Sequence, residues 1–153
     1  MRPEPPAEDA TGCGHSLRTG TDLVDVADLG RRLAQQPGLA ERVFTYAELK
    51  YCRSRRRRCD EHLAARFAAK EAVLKALGTG LSHGVEWTEV EIPKELGGRP
   101  RVVLHGSARR IALGLRVREV DVSLSHAAGL AIANAVLMTG GSESHEALSA
   151  SPT

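Results

Sequence analysis

The middle of the chain carries a run of helix-forming residues closed by a glycine turn, Ala65-Arg66-Phe67-Ala68-Ala69-Lys70-Glu71-Ala72-Val73-Leu74-Lys75-Ala76-Leu77-Gly78-Thr79-Gly80. Good helix formers fill this run, and Gly78 is a typical residue at which a helix ends. At about 100° per residue, the large apolar side chains fall on one narrow arc and alanines cover most of the opposite side. Small residues on that side suit close contact with a second packed surface. The run is therefore predicted to form a helix that is buried on most of its sides.

This predicted helix carries four ionisable side chains: Arg66, Lys70, Glu71 and Lys75. A charge on a buried helix needs a partner, a metal or a ligand, because an unpaired charge is costly to remove from water. Glu71 and Lys75 share a face, and their spacing alone favours an i,i+4 ion pair worth about 0.3–0.5 kcal/mol. A functional site on the same face is the alternative.

The signature of a known family matches this helix. Residues 66–72, followed by residues 75–80, closely resemble the holo-acyl-carrier-protein synthase type of 4'-phosphopantetheinyl transferase. Three further blocks resemble the family in its order: Gly20-Thr21-Asp22-Leu23-Val24-Asp25 at the opening strand, Arg42-Val43-Phe44-Thr45 with Glu48-Leu49 in the next segment, and Ser123-Leu124-Ser125-His126 at the closing strand. The resemblance covers roughly residues 16–138, which is nearly all of the chain outside its tails.

The resemblance implies an α+β fold, the 4'-phosphopantetheinyl transferase fold, in which a small antiparallel sheet packs on a long central helix. It also implies a homotrimer with active sites between subunits. A chain of 153 residues with 42% hydrophobic content has the length and composition of a single domain. We assign this domain to residues 16–138. The Pro-, Gly- and acid-rich residues 1–15 and the Gly-, Ser- and Glu-rich residues 139–153 are predicted to be disordered extensions.

Local patterns predict the smaller elements. A short strand around residues 22–26 precedes a helix over 28–36, and the capping box at 45–48 begins a helix that runs to about residue 52. Thr45 is on this pattern a helix cap rather than a catalytic hydroxyl. Beyond the central helix we expect a hairpin of strands 87–92 and 101–104, a helix over 107–115, and strands over 120–125 and 130–138.

The resemblance implies a reaction. 4'-Phosphopantetheine would pass from coenzyme A to a serine of an apo acyl carrier protein, with release of adenosine 3',5'-bisphosphate. Asp22 and Glu71 would hold Mg²⁺, Glu71 would activate the serine through water, and Lys75 would contact the pyrophosphate. Two carboxylates from distant elements suit a magnesium ion that keeps waters and substrate phosphates as its other ligands. Without the resemblance, Asp22 would more often be read as the solvated end of a strand.

A second set of residues is assigned to coenzyme A by the resemblance: Arg66, Lys75, Gly78, Arg99, Pro100 and His126. The structural alternatives stay open for several of them. Gly78 equally serves to end the helix, Arg66 could form structural pairs, and an isolated His126 would more often be structural.

Three positions depart from the family pattern. Asp25 stands where the family usually has Glu, Asp28 where a basic residue that meets the carrier is common, and Ala127 where Thr is frequent. These departures bear mainly on carrier docking. They leave the two expected magnesium ligands, Asp22 and Glu71, in place.

Composition bears on other classes of protein. The net charge is only +2 and aromatic residues make up 3%, so we expect no nucleic-acid partner, although Arg53 and Arg55–Arg58 form a local basic patch. Three cysteines without a close pair predict neither a disulfide framework nor a zinc site. No apolar run is long enough to span a bilayer, which predicts a cytoplasmic protein without a membrane partner.

Two alternative functions remain at the level of sequence. The chain could be a non-catalytic coenzyme A-binding relative, or a binding module that uses the basic patch. The sequence also leaves open whether the carrier serves fatty-acid (lipid), polyketide or peptide biosynthesis.

Overall fold

The computed structural model describes residues 15–81, 83–93 and 98–140. The predicted extensions therefore lie almost wholly outside the described residues, as does Gly97 of the predicted hairpin turn. No helix within these ranges combines the length and the apolar character that crossing a bilayer requires.

The described residues form five helices and five strands. In chain order they are β1 (Ser16–Asp25), α1 (Val26–Gln35), α2 (Leu39–Val43), α3 (Tyr46–Ser54), α4 (Cys59–Leu77), β2 (Val90–Glu91), β3 (Val103–Leu104), α5 (Gly106–Gly114), β4 (Val117–Ala127) and β5 (Leu130–Thr139). Short 3₁₀ turns at Arg56–Arg58 and Trp87–Glu89 precede α4 and β2. The predicted α+β class is confirmed.

Three long strands form an antiparallel sheet in the order β1-β5-β4. β5 is the central strand, because Ser16 of β1 lies opposite its Thr139 and Ala127 of β4 lies opposite its Leu130. Ala128 and Gly129 turn β4 into β5 with φ of 52° and 77°, the left-handed pair that a tight hairpin uses.

Helix α4 lies against one face of this sheet, as predicted. Its buried alanines meet the inward-facing residues of β5, which are themselves small: Ala131, Ala133 and Ala135. Gly20 of β1 brings the two backbones together, since a Cβ there would overlap the carbonyl oxygen of Ala72 and come within 2.8 Å of Ala76 N. The expected burial of the helix on most sides is confirmed.

The predicted hairpin is much shorter than expected. Instead of a strand over residues 87–92, a 3₁₀ turn leads into the two-residue β2, and β3 is equally short. The carbonyl oxygens of Trp87 and Val90 accept hydrogen bonds from Lys70 Nζ, at 3.1 and 2.5 Å. A lysine from α4 therefore anchors this segment on the side away from β3.

Capping residues determine where helices α3 and α1 begin. The predicted capping box of α3 is present, because Thr45 Oγ1 accepts from Glu48 N and Glu48 Oε2 accepts from Thr45 N. Helix α1 begins two residues earlier than predicted, since Asp25 is its N-cap and accepts from Asp28 N at 2.8 Å. Helix α2 had no counterpart in the sequence-based elements.

Candidate active site

Strand β1 and helix α4 bring together two of the residues assigned to catalysis. Lys75 Nζ lies 2.7 Å from Asp22 Oδ1 and donates to Thr21 O at 3.1 Å. Lys75 therefore forms its ion pair across to β1, and not along the helix with Glu71. Thr21 and Asp22 of the strand each provide one oxygen to the ammonium group.

The last turn of α4 is held by an arginine that the sequence did not single out. Gly78 adopts φ 82° and its N–H bonds to the carbonyl oxygens of Leu74 and Lys75. The next two carbonyls accept from Arg18, since Nε lies 2.7 Å from Ala76 O and Nη2 lies 3.3 Å from Leu77 O. A Cβ on Gly78 would come within 2.7 Å of Arg18 Nη2. Gly78 thus has a structural reason to be glycine, and its contact with coenzyme A stays a prediction.

Asp22 and Glu71 line one cavity of about 530 Å³, which we call the acidic cavity. Its rim carries further carboxylates from the start of α1, Asp25 and Asp28. Its deeper wall is apolar and includes Phe67, whose ring stacks on that of Trp87 with centroids 4.8 Å apart. The cavity is therefore lined by carboxylates, by Arg32, which pairs with Asp28 at 2.8 Å, and by apolar side chains.

The two carboxylates assigned to the metal, Asp22 and Glu71, interact electrostatically. Burial and the neighbouring Asp22 raise the pKa of Glu71, and Lys75 opposes the shift. A divalent cation between the two carboxylates would relieve this repulsion, and hard oxygen donors are those that Mg²⁺ prefers. Within residues 15–81, 83–93 and 98–140, no group of three or more His, Cys, Asp or Glu could hold a metal. The donor set fits an ion held by two side chains and completed by substrate phosphates.

A second cavity of about 380 Å³, the basic cavity, contains Arg66, Pro100 and His126. Arg66 is only 6% exposed and stacks over the Tyr51 ring at 4.4 Å. Its Nη1 donates to His62 O at 3.3 Å, but its buried Nε has no partner among the described residues. The guanidinium of Arg66 gives this cavity a permanent positive charge, which suits an anionic group such as a phosphate.

The predicted site residues fall into separate groups. Asp22 and Glu71 line the acidic cavity, and Arg66, Pro100 and His126 line the basic cavity; among the described residues none lines both. Arg99 lies apart and pairs with Asp121 across 2.6 Å on an exposed surface. One chain by itself does not unite all the residues assigned to one substrate.

Comparison with known proteins identifies the family. The profile of the 4'-phosphopantetheinyl transferase superfamily matches residues 18–133. The chain belongs to this superfamily. The resemblance stated from sequence and the fold that it implied are both confirmed, and the chain is an enzyme of this transferase class.

Individual relatives of the superfamily cover nearly the whole domain. The holo-[acyl-carrier-protein] synthase of Moorella thermoacetica is 49% identical over 127 residues, which is 83% of this chain and 98% of the relative. That of Koribacter versatilis is 43% identical over 79% of this chain and 97% of its own length. The coenzyme A complex of the Chronobacterium ammoniagenes synthase superposes with a TM-score of 0.71 at 29% identity, covering 80% of this chain and 96% of that one.

Several residues at the two cavities of this transferase were missed in the sequence. Tyr51 and His62 line the basic cavity, and Trp87 lines the acidic one. His62 and Arg66 are four residues apart on one helical face, which was a usable signal. The contacts of Tyr51 and Trp87 come from other segments, and no local pattern marks them.

Proposed function

We propose that this chain transfers 4'-phosphopantetheine from coenzyme A to a serine of an apo acyl carrier protein, in a magnesium-dependent reaction that releases adenosine 3',5'-bisphosphate. The observation that carries the proposal is that Asp22 and Glu71 line one cavity and that Lys75 pairs with Asp22 beside it. The names of the relatives and the coenzyme A complex of one of them support the same reaction.

Each of the three side chains has a distinct task. Asp22 and Glu71 would hold Mg²⁺, which supplies charge neutralisation at the pyrophosphate of coenzyme A when bound. Lys75 donates to the phosphate that leaves, a role suited to a compact ammonium that is half exposed and already placed beside Asp22. Glu71 accepts the serine proton through water.

The nucleotide part of coenzyme A is assigned to the basic cavity. Arg66 and His126 line this cavity, and Arg58 Nη2 lies 3.1 Å from His126 Nε2. Pro100 forms part of the wall, and Arg99 extends positive charge beyond it. The backbone of Gly78 would face the phosphates near Lys75.

In a homotrimer, the two cavities could belong to one active site between subunits. The outer face of the sheet is apolar and exposed, with Leu17 at 68%, Leu23 at 59% and Ile132 at 43% exposure. We propose that further copies of the chain cover this face and that each active site joins the acidic cavity of one subunit to the basic cavity of its neighbour. This arrangement explains why residues assigned to one substrate lie apart within one chain.

The remaining assignments follow the same reaction. Residues 16–138 form the catalytic domain, flanked by extensions at residues 1–15 and 139–153 without a chemical role. The partners are apo acyl carrier protein and coenzyme A in the cytoplasm, without a nucleic acid or a membrane.

Intact mass spectrometry of an apo acyl carrier protein tests the proposal. The carrier is incubated with the protein and coenzyme A, with and without Mg²⁺. A magnesium-dependent gain of one phosphopantetheine is expected, with loss of the gain in Glu71→Gln and retention in Glu41→Gln, which removes an exposed carboxylate elsewhere. Binding of coenzyme A without any gain, across several carriers, would instead identify a non-catalytic relative.

A further inference from the structure

His62 occupies the wall of the basic cavity without a role in the reaction described above. Its ring meets the Tyr51 ring edge-on at 5.5 Å and the His126 ring edge-on at 6.4 Å. Neither ring nitrogen of His62 forms a hydrogen bond within the described residues, whereas its carbonyl oxygen accepts from Arg66. The imidazole therefore borders the cavity with both nitrogens available.

Positive groups dominate the surroundings of His62. Helix α3 contributes Tyr51, the preceding turn contributes Arg55 and Arg58, helix α4 contributes Glu61 and Arg66, and strand β4 contributes His126. Glu61 is the one carboxylate in this set, and Arg58 Nε holds it at 2.8 Å. Burial, followed by the charges of Arg66 and Arg58, lowers the pKa of His62, so the imidazole is neutral at physiological pH in the empty cavity.

Histidine differs from its neighbours in being able to respond to a ligand. The arginines stay charged at every pH of interest, so an incoming anion cannot change their protonation. His126 already accepts a hydrogen bond from Arg58 Nη2 through its Nε2, whereas His62 has no such partner among the described residues. A phosphate dianion in the cavity would reverse the field at His62 and favour its charged form.

We propose that His62 is a substrate-binding residue, which takes up a proton from solvent when a phosphate group of coenzyme A enters the basic cavity and then donates a charge-assisted hydrogen bond to it. The inference rests on the proposed function, in which this cavity receives the nucleotide. Protonated His62 would be a second cation beside Arg66, and it would be present only in the complex.

Proton uptake makes binding depend on pH. The complex holds more protons than the free protein, so affinity increases as the pH falls, by at most about tenfold per pH unit for one proton. The gain ends near pH 6, where the phosphate itself becomes protonated. If His62 had only a structural role, its substitution would leave the pH dependence of the affinity unchanged.

Calorimetry with adenosine 3',5'-bisphosphate and with coenzyme A measures the effect. Titrations at pH 7.5 in two buffers of different ionisation enthalpy give the number of protons taken up on binding. The unmodified protein is expected to take up a measurable fraction of a proton, and His62→Gln none, with a flatter affinity profile between pH 6.5 and 8.5. His105→Gln is the control, because His105 pairs with Glu91 outside the cavity and should retain the full uptake.

The outcomes separate this inference from the proposed function. Equal proton uptake and equal pH dependence in His62→Gln and the unmodified protein would overturn the role of His62, even where transfer to the carrier proceeds normally. Failure of the unmodified protein to bind either nucleotide would overturn the proposed function itself. Should the variant fold poorly, an NMR titration of the unmodified protein decides, since adenosine 3',5'-bisphosphate must raise the pKa of the His62 ring.

Discussion

Glu48 and Lys70 form an ion pair with Oε2 and Nζ 2.9 Å apart and with both side chains completely buried. Glu48 also accepts from Thr45 N and, through Oε1, from Ile92 N at 2.8 Å. Lys70 donates to two carbonyl oxygens around Trp87. The pair joins α3, α4 and the segment of β2, and so fixes the Trp87 wall of the acidic cavity.

Removal of one member of this pair should be strongly destabilising. Lys70→Met leaves a buried carboxylate, and Glu48→Gln leaves a buried ammonium, and each change is expected to cost about 3–5 kcal/mol of unfolding free energy. Urea unfolding followed by circular dichroism measures this loss. A loss below about 1 kcal/mol would show that water reaches the pair.

The pH dependence of Glu48→Gln is a second expectation. Burial already lowers the pKa of Lys70, and Glu48 opposes that shift. Without Glu48 the folded protein would bind fewer protons at Lys70 than the unfolded chain does, so stability should increase as pH rises. Thermal unfolding between pH 6 and 9 should show a rising midpoint relative to the unmodified protein, and a falling one would contradict the assignment.

Gly20→Ala should prevent close packing of β1 on α4. The new methyl would overlap the carbonyl oxygen of Ala72, which is backbone and cannot rotate away. We expect loss of at least about 3 kcal/mol, in the upper range for single substitutions. Gly114→Ala is the matched control, because nothing lies within 4 Å of its Cβ position at the end of α5, and its stability should change little or increase. Similar effects of the two would mean that the helix and the sheet can move apart.

Lys75→Met should lower the transfer rate with little effect on stability. The side chain of Lys75 is half exposed and that of Asp22 15% exposed, and a pair that reaches the surface contributes about 1 kcal/mol at most, so the melting temperature should change little. Loss of the cation beside the leaving phosphate should lower the transfer rate about 10²–10³-fold. Arg53→Met, which breaks the exposed pair with Glu41, should leave both quantities unchanged. Normal turnover by Lys75→Met would exclude Lys75 from the reaction.

The two described cysteines should differ in reactivity. Burial raises the pKa of Cys52 to about 11, and burial and Asp60 also raise that of Cys59, which is partly exposed. Iodoacetamide at increasing pH should therefore modify Cys59 first, and Cys52 only after unfolding, because the thiolate is the reactive form. Peptide mapping by mass spectrometry checks the order, and early modification of Cys52 would show that α3 opens readily.

The sequence predicted those parts of the molecule that carry a continuous pattern. Helix α4, the cap at Thr45 and the acidic pair of Asp22 and Glu71 each belong to a block long enough to recognise. Local patterns misjudged where some elements begin and end, since β2 and β3 have two residues each and α1 begins at Val26. Arg18 was missed because its contacts with the end of α4 arise only after the chain has folded.

The register of the sheet also bears on how the chain can be synthesised. Ser16 lies opposite Thr139, and both β1 and β4 find their sheet neighbour only in β5. On the ribosome, β1 and α4 are complete while the strand that joins the sheet has not yet been translated. The alanine face of the helix then lacks most of its cover, and at roughly 5–20 residues per second this interval lasts several seconds. Folding of this domain must therefore finish after translation of its last strand, and an interrupted message would leave a chain without a sheet.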